Sequence, residues 1–375
     1  MKGRSMKILF VTNGVPTDQY PLIGIFEFDQ AKALAAAGHE VIFFGIDLRS
    51  VRRKRKWGIY HGERCGVSWY RIDIPVGAVP LRLFCMIGTW GLEYLYSKVF
   101  KTSKPDLIHA HFTEMGCMAS RLARKKQVPL VITEHSSLMN QEKINVSLKR
   151  CAIEGYYAAK CVIAVSDGLK KSLYRHTGIQ CRVIPNIINL EEFELKPNKH
   201  IGFGFIITAN IVPLKQHQML IKAFAKVHQI HEDVFLGIVG EGILRKNMEL
   251  LSQKLGVKNN VIFYGQLSRK KIGLLYQEYD CFVLPSHSET FGVAYIEAMA
   301  SGLPVIASRC GGPEDFVNEE VGILVSRNSI EELEKGMLFM YNNAWRYNKK
   351  QIRTYVEKKY TAQNIAKQIL EVYRI

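Results

Sequence analysis

Short apolar runs alternate with helix-length stretches along most of this chain, and this alternation constrains the fold more than any other feature. In the first half, we predict strands at 7–12, 40–45, 107–111, 129–133 and 161–165. The pattern restarts in the second half, with strands predicted at 205–209, 234–239, 261–265, 281–284 and 304–307. Strands separated by helices favour parallel sheets. We therefore predict an α/β protein with two doubly wound, Rossmann-like domains that face each other.

The chain is long enough for two such domains. Its 375 residues exceed the roughly 250–300 at which one hydrophobic core stops growing. A polar stretch from about Asn189 to His200 is typical of an interdomain linker. We predict a first domain over 1–190, a second over 191–358 and a C-terminal segment over 359–375.

A strand–loop–helix–strand unit at 281–308 carries a candidate binding edge, because open parallel sheets hold ligands at the carboxyl ends of their strands. Glu289 precedes Gly292 and a helix expected to begin at Val293, whose positive dipole end suits a phosphate group. Glu297 lies among apolar helix residues and needs a partner, such as a pair of ribose hydroxyls. Alternatively, Glu289 is an ordinary helix-start acid and Glu297 an exposed helix residue.

The same string resembles the Glu-x7-Glu signature of the retaining GT-B glycosyltransferases, a family 4-like group also called glycosyl transferases group 1. The residues that match this signature in register are Ser286, Glu289, Phe291, Gly292, Glu297, Ala298, Met299, Ala300, Gly302, Pro304 and Val305. The resemblance implies a GT-B fold with a cleft between an N-terminal acceptor-binding domain and a C-terminal nucleotide-sugar-binding domain. It also implies that the final helix crosses back to the first domain.

The resemblance further implies the roles of individual residues. Glu289 would hold hydroxyls of the donor sugar, Glu297 the ribose and Lys215 the diphosphate, while His135 would lie near the reactive side of the sugar. We take His135 and Glu289 as the catalytic candidates. The remaining donor-binding candidates are Gly24, Asn210, Gly240, Glu241, Gln266, Leu284, Ser286, Phe291, Gly292 and Val293.

Two positions depart from the family pattern. Asn210 replaces an arginine that binds the donor diphosphate, and a neutral amide supplies neither its charge nor its fork of donors. The stretch 22–26, which corresponds to the family's glycine-pair loop after the first strand, carries one glycine, Gly24. Diphosphate binding must therefore depend on Lys215, on helix amide groups and on another basic residue.

Three histidines, His109, His111 and His135, lie at or just beyond strand ends. Each is either a hydrogen-bonded structural group or a catalytic one. We expect His109 and His111 to point to opposite faces of their strand, and no spacing here is typical of a metal site. The prediction is a metal-independent reaction with no cofactor beyond the nucleotide-diphosphate sugar.

Charge and aromatic content suggest a surface partner. The formal net charge of +17 favours nucleic acid, an acidic membrane or phosphorylated substrates. A basic run at 49–56 and an aromatic stretch at 81–100 fit an anionic lipid interface, although a solvated face and a core helix explain them equally well. The eight cysteines include no C-x-x-C pair, which favours a reducing cytosol.

Together these features predict a cytoplasmic glycosyltransferase, peripheral on the inner face of the membrane. It would move a sugar from a UDP- or GDP-sugar to a saccharide or lipid-linked saccharide in surface polysaccharide biosynthesis, without a nucleic-acid partner. The oligomeric state stays open. One alternative is a basic nucleotide- or nucleic-acid-binding α/β protein without transferase activity. Another keeps the fold but performs an epimerase-type or phosphorylase-type reaction.

Overall fold

The computed structural model describes residues 5–17, 20, 23–48, 56–195 and 201–374. The basic run predicted to meet lipid lies almost wholly outside these ranges. The chain divides into two units, one formed by Met1–Ile187 with Ala362–Ile375 and the other by Ile188–Thr361. We call them unit 1 and unit 2. Among the helices that the structure describes, none combines the length and the apolar character needed to cross a lipid bilayer.

The described part of unit 1 is built on an eight-stranded sheet. Its strands are β1 (Lys7–Thr12), β2 (Glu40–Asp47), β3 (Gly58–Arg64), β4 (Val67–Asp73), β5 (Leu107–His111), β6 (Leu130–Glu134), β7 (Cys161–Ala164) and β8 (Cys181–Val183). Its helices are α1 (Ile25–Ala36), α2 (Leu81–Val99), α3 (Thr113–Lys126), α4 (Val146–Tyr156), α5 (Asp167–Thr177) and α12 (Ala362–Tyr373).

The strand order in this sheet is β3-β4-β2-β1-β5-β6-β7-β8, and every pairing is parallel except that of β3 with β4. β1 pairs with β2 on one side and with β5 on the other, so the strand order reverses between β1 and β5. Ligands of open α/β sheets bind at such a switch point. The antiparallel β3–β4 hairpin is not part of the predicted pattern.

The described part of unit 2 is built on a six-stranded parallel sheet. Its strands are β9 (Phe203–Thr208), β10 (Val234–Val239), β11 (Val261–Gly265), β12 (Cys281–Leu284), β13 (Val305–Ser308) and β14 (Gly322–Val325). Its helices are α6 (His217–Ile230), α7 (Arg245–Lys254), α8 (Arg269–Tyr276), α9 (Val293–Ala300), α10 (Ile330–Asn343) and α11 (Lys349–Tyr360). The order β11-β10-β9-β12-β13-β14 places the switch point between β9 and β12. The prediction of two Rossmann-like α/β domains is confirmed.

The sequence explains why these elements form where they do. β1 and β12 are apolar on both faces and are buried, as expected for parallel strands covered on both sides. Ser166 caps the N-terminus of α5, and its hydroxyl accepts a hydrogen bond from Leu169 N at 3.0 Å. α12 inserts Ile365, Ile369 and Val372 into the core of unit 1.

Candidate functional site

Two charged side chains meet at the sheet edge of unit 2. Lys215 follows β9 and Glu289 follows β12, the neighbouring strands that flank the switch point. Lys215 Nζ lies 2.5 Å from Glu289 Oε1, and Ser286 Oγ donates to the same oxygen at 2.7 Å. The Lys215 and Glu289 side chains are 22% and 9% exposed. Lys215, predicted from one segment, thus contacts Glu289, which the signature predicts together with Ser286.

Backbone hydrogen bonds fix the loop that carries Glu289. His287 N donates to the carbonyl of Leu214, and Gly312 N donates to the carbonyl of Glu289, at 2.8 and 3.1 Å. The first bond ties the loop to the segment after β9, and the second ties it to the segment after β13. The carboxylate of Glu289 is therefore presented by a backbone that neighbouring segments hold on both sides.

Helix α9 begins directly beyond this loop. Its N-cap is Gly292, with φ 93°, a conformation that favours glycine. A Cβ at this position would lie 2.6 Å from the Tyr295 ring, so a side chain would also clash. Phe291 is buried and packs against Phe316, with ring centroids 5.7 Å apart. Val293, the first helical residue, is half-buried. The positive end of the α9 dipole thus lies three residues from Glu289 along the chain.

Glu297 is buried with a cationic partner. Its Oε1 lies 3.1 Å from Arg269 Nε, and the two side chains are 9% and 12% exposed. The alternative of an exposed helix position is therefore wrong for Glu297. Arg269 is the first residue of α8. It is not among the predicted site residues. A carboxylate among apolar residues indicates that a partner exists, but it does not indicate which residue that partner is. Arg269 is a basic residue beside the predicted ribose-binding carboxylate.

The turn after β10 packs closely against the segment after β9. A Cβ on Gly240, with φ 141°, would lie 2.0 Å from the Ala209 carbonyl oxygen. Ile211 N donates to the Glu241 carbonyl at 2.9 Å, and the Glu241 carboxylate pairs with Arg245. Close backbone packing therefore explains why position 240 is a glycine, without any contact to a ligand.

The remaining donor-binding candidates of unit 2 differ in accessibility. Asn210 and Gln266 are exposed at the ends of β9 and β11. Leu284 is 1% exposed, and its carbonyl accepts a hydrogen bond from the Tyr295 hydroxyl. Its side chain therefore belongs to the core of unit 2. Any contribution of Leu284 to donor binding would come through the backbone that follows it.

The three histidines predicted at strand ends, His109, His111 and His135, lie together in unit 1. Rings of His109 and His111 have centroids 4.4 Å apart, so the expectation that they point to opposite faces is wrong. Residues two apart on a strand share a face. His111 Nδ1 lies 3.1 Å from His135 Nε2, and His109 contacts the Thr133 hydroxyl at 2.7 Å and the Tyr373 hydroxyl at 2.6 Å.

Burial keeps these imidazoles neutral. Desolvation lowers the pKa of His135 to about 4 and that of His109 to about 3, and it lowers the pKa of His111 as well. Within the described ranges, the buried Nε2 of His111 has no hydrogen-bond partner. At neutral pH the cluster therefore offers uncharged donors and acceptors.

A buried carboxylate orients the backbone of His135. Glu134 Oε1 accepts from the amides of His135 and Ser136 at 2.9 and 2.7 Å. Its Oε2 accepts from the hydroxyls of Thr113 and Tyr156, both at 2.5 Å. Four donors on one carboxylate fix the turn at the carboxyl end of β6. Desolvation nevertheless raises the pKa of Glu134.

Gly24 is the N-cap of α1, in the segment after β1. β1 and β5 are the two strands that flank the switch point of unit 1. The Gly24 carbonyl accepts from Phe28 N at 2.9 Å. Gly24 thus closes the loop that follows β1, and its part in donor binding stays a prediction.

Comparison with known proteins identifies the architecture. The family profile described as Glycosyltransferase Family 4 matches residues 26–192, and the profile described as Glycosyl transferases group 1 matches residues 192–370. An uncharacterized glycosyltransferase of Methanocaldococcus jannaschii is 28% identical over 397 residues, covering 99% of this chain and 98% of the relative. A provisionally assigned teichuronic acid biosynthesis glycosyltransferase of Bacillus subtilis, TuaC, is 25% identical over 371 residues and 91% of each chain.

A solved structure shows the same fold over the full length. HepE of Anabaena, crystallised in complex with UDP and glucose, superposes with a TM-score of 0.78 over 99% of this chain and 100% of that chain, at 19% identity. The two profiles together cover both units of the structure. The chain therefore belongs to the GT-B glycosyltransferases of the family 4 type.

Proposed function

We propose that this glycosyltransferase moves a sugar from a UDP- or GDP-sugar to a saccharide acceptor with retention of anomeric configuration, and that it needs no metal ion. The observation that carries the proposal is the cluster of Lys215, Ser286 and Glu289 at the switch point of unit 2, next to the N-terminus of α9. A cation, a hydroxyl and helix amides are the groups that a sugar diphosphate requires.

The charges suit departure of a diphosphate. In the absence of donor, Lys215 is neutralised by Glu289. A bound diphosphate would interact with Lys215 Nζ and with the positive end of α9. These two positive groups would stabilise the negative charge that grows on the leaving group. Glu289 would then accept hydrogen bonds from sugar hydroxyls. Position 210 has asparagine where the family has a diphosphate-binding arginine. Arg269, which lies beside Glu297, would be the further basic residue that binds the diphosphate.

The neutral state of His135 suits the other half of the reaction. Positive charge develops at the anomeric carbon as the leaving group departs, and a protonated imidazole nearby would oppose it. With a pKa lowered to about 4 by burial, His135 is uncharged at neutral pH and can hydrogen-bond a sugar hydroxyl without that repulsion.

We further propose that the acceptor is lipid-linked and belongs to a surface polysaccharide, and that the enzyme works on the cytoplasmic face of the membrane. Helix α2 exposes Leu83, Met86 and Trp90, and Trp90 stacks near Trp57 and Tyr94. Exposed aromatic and aliphatic groups beside lysines fit an interfacial helix. The similarity to a teichuronic acid biosynthesis enzyme supports the acceptor class.

The test begins with the donor. A panel of nucleotide sugars is screened by thermal shift on the full chain, since a ligand at 100 times its dissociation constant stabilises by about 2.7 kcal/mol. The selected donor is then used in transfer assays with Lys215→Ala and Glu289→Gln. Loss of a preorganised contact to the leaving group or sugar is expected to lower kcat by roughly 100-fold or more.

Lys226→Ala is the matched control, because Lys226 forms an ion pair of similar length with Glu334, at 2.8 Å, on the surface of the same unit. It is expected to transfer at the wild-type rate. Unimpaired transfer by both site variants would refute the assignment of the site. Products identify the reaction: a new glycosidic bond with free nucleoside diphosphate indicates transfer, whereas free sugar phosphate indicates phosphorolysis.

A further inference from the structure

Three cysteines from distant parts of the sequence converge in unit 1. Cys85 lies on α2, Cys117 on α3 and Cys151 on α4. Their Sγ atoms all lie within 4.8 Å of one another, and Cys85 Sγ is 3.7 Å from Cys151 Sγ. Each cysteine is at most 6% exposed. The cluster plays no part in the proposed transfer reaction.

The spacing of these sulfur atoms matches a coordination sphere. With a Zn–S bond of about 2.3 Å, two sulfur ligands of a tetrahedral ion lie about 3.8 Å apart. The separation of Cys85 and Cys151 has this value, and Cys117 completes a triangle. Apolar packing of three helices does not require three sulfur atoms within 4.8 Å of one another. We propose that Cys85, Cys117 and Cys151 bind a thiophilic divalent cation of the zinc class.

Glu154 borders the cluster and would supply the fourth ligand in this proposal by a movement of its side chain toward the ion, because its carboxylate oxygens do not lie within 4.8 Å of all three sulfurs. Its Oε2 lies 3.4 Å from Cys117 Sγ, one turn beyond Cys151 on α4. Its carboxylate is held by Arg121, whose Nε and Nη2 donate at 2.7 and 3.0 Å. Arg121 therefore holds the carboxylate beside Cys117, from where it would approach the ion, and would remain as its outer partner.

The surrounding charge favours the ionised ligands. Arg121 Nη2 also donates to Cys117 Sγ at 3.8 Å. Arg82 and Arg150 line an adjacent cavity of about 320 Å³, which gives a cation a path to the sulfurs. Binding would release the thiol protons, and the excess negative charge of three thiolates and a carboxylate around a divalent ion would be balanced by the arginines.

The bound ion would fasten three helices to one another. Cys151 lies beside Thr113, since its protonated thiol contacts the Thr113 carbonyl at 3.8 Å, and the Thr113 hydroxyl donates to Glu134, the carboxylate that orients His135. The ion would therefore stabilise α2, with its exposed aromatic face, and the N-terminus of α3. Its role is structural, and its occupancy is independent of donor binding in unit 2.

Cobalt substitution tests the site directly. Reduced full-length protein, freed of metal with a chelator, is titrated with Co²⁺ under anaerobic conditions. We expect one equivalent to bind, with sulfur-to-cobalt charge-transfer absorption and the visible bands of a tetrahedral ion, and we expect Zn²⁺ to displace it. Cys85→Ser, Cys117→Ser and Cys151→Ser should each weaken binding by more than about 100-fold.

Two controls separate the site from adventitious thiols and from misfolding. Cys161→Ser removes a half-buried cysteine of β7 and Cys65→Ser an exposed one, and both should bind Co²⁺ like the wild type. On the wild-type chain alone, Zn²⁺ should raise the thermal unfolding temperature and a chelator should reverse the rise. A folded wild-type chain without charge-transfer absorption, or absorption that persists in all three site variants, overturns the proposal.

Discussion

Glu27 shows how burial alone can set the charge of a single residue. It lies in the first turn of α1 and is 2% exposed. Desolvation raises the pKa of its carboxyl to about 7. Because the ordinary value is 4.5, the folded protein keeps a proton on Glu27 that the unfolded chain releases above that pH. Its contribution to stability is therefore complete below pH 4.5 and is lost as the pH rises toward 7.

This linkage makes a prediction for Glu27→Gln. At pH 4.5 the amide and the protonated acid are similar, so the variant should match the wild type. As the pH rises to 8 the variant should become more stable than the wild type by up to about 3 kcal/mol, from a pKa shift of roughly two units or more. Thermal unfolding temperatures measured at intervals between pH 4.5 and 8 would record the difference.

The exposed Glu63 of β3 provides the matched substitution. Glu63→Gln removes one negative charge from an exposed position of the same unit, so it controls for the loss of a charge without the loss of a buried carboxyl. If the advantage of Glu27→Gln did not grow between pH 4.5 and 8, the assignment of the charge state of Glu27 would be wrong.

Individual residues could be predicted better than their contacts. The signature around Phe291 identifies Ser286 and Glu289, and a separate segment identifies Lys215. The ion pair itself joins positions 74 residues apart, and no local pattern encodes it. Arg269 was missed for the same reason. The cysteine cluster was missed because its ligands lie on three helices, whereas sequence patterns for metal sites depend on ligands that are close along the chain.

Among the secondary-structure elements, the buried ones were predictable. β1, β5, β10 and β12 have the predicted bounds, and α9 begins at the predicted residue, because each couples a clear apolar run to turn residues at its ends. The β3–β4 hairpin was missed because β3 is an edge strand, largely exposed along GIYHGER, without an apolar face to reveal it. Its antiparallel register depends on tertiary pairing with β4.

One hydrogen bond tests how strongly the packing of helix α12 against the sheet of unit 1 depends on a buried polar contact. Tyr373, near its end, contacts the buried His109 of β5 through its hydroxyl at 2.6 Å. Tyr373→Phe leaves a ring nitrogen of His109 without that partner, and an unsatisfied buried polar atom costs about 1–3 kcal/mol. We expect a lower thermal unfolding temperature and faster amide hydrogen exchange along α12.

Tyr341→Phe removes a comparable hydroxyl near the surface, where Tyr341 bonds to Asp233 at 3.0 Å. Because water can replace that partner, this variant should unfold close to the wild-type temperature. Equal effects from the two substitutions would show that the contact with His109 does not hold α12 in place.

At the scale of the whole molecule, charge and surface aromatics act together. A net charge of +17 attracts anionic surfaces at long range, but it does not select which part of the protein meets them. The exposed apolar groups of α2 can make that selection, because they lie on a helix that also carries a cation. Lys98 of this helix lies 5.4 Å from the centre of the Tyr94 ring. We therefore expect membrane binding to require both features.

Vesicle sedimentation separates the two contributions. The wild-type chain should bind vesicles rich in anionic lipid and should release them as salt is raised, because the Debye length falls to about 3 Å at 1 M. Trp90→Ala combined with Met86→Ala should weaken binding at low salt by roughly thirtyfold, since the exposed half of each of the two side chains would otherwise bury apolar area worth about 1 kcal/mol, or about 2 kcal/mol together. Trp345→Ala removes a more exposed tryptophan, 79% accessible, from unit 2 and should bind like the wild type. Equal binding by the α2 double variant and the wild type would mean that charge alone holds the protein to the lipid, and that the aromatic face of α2 serves another partner.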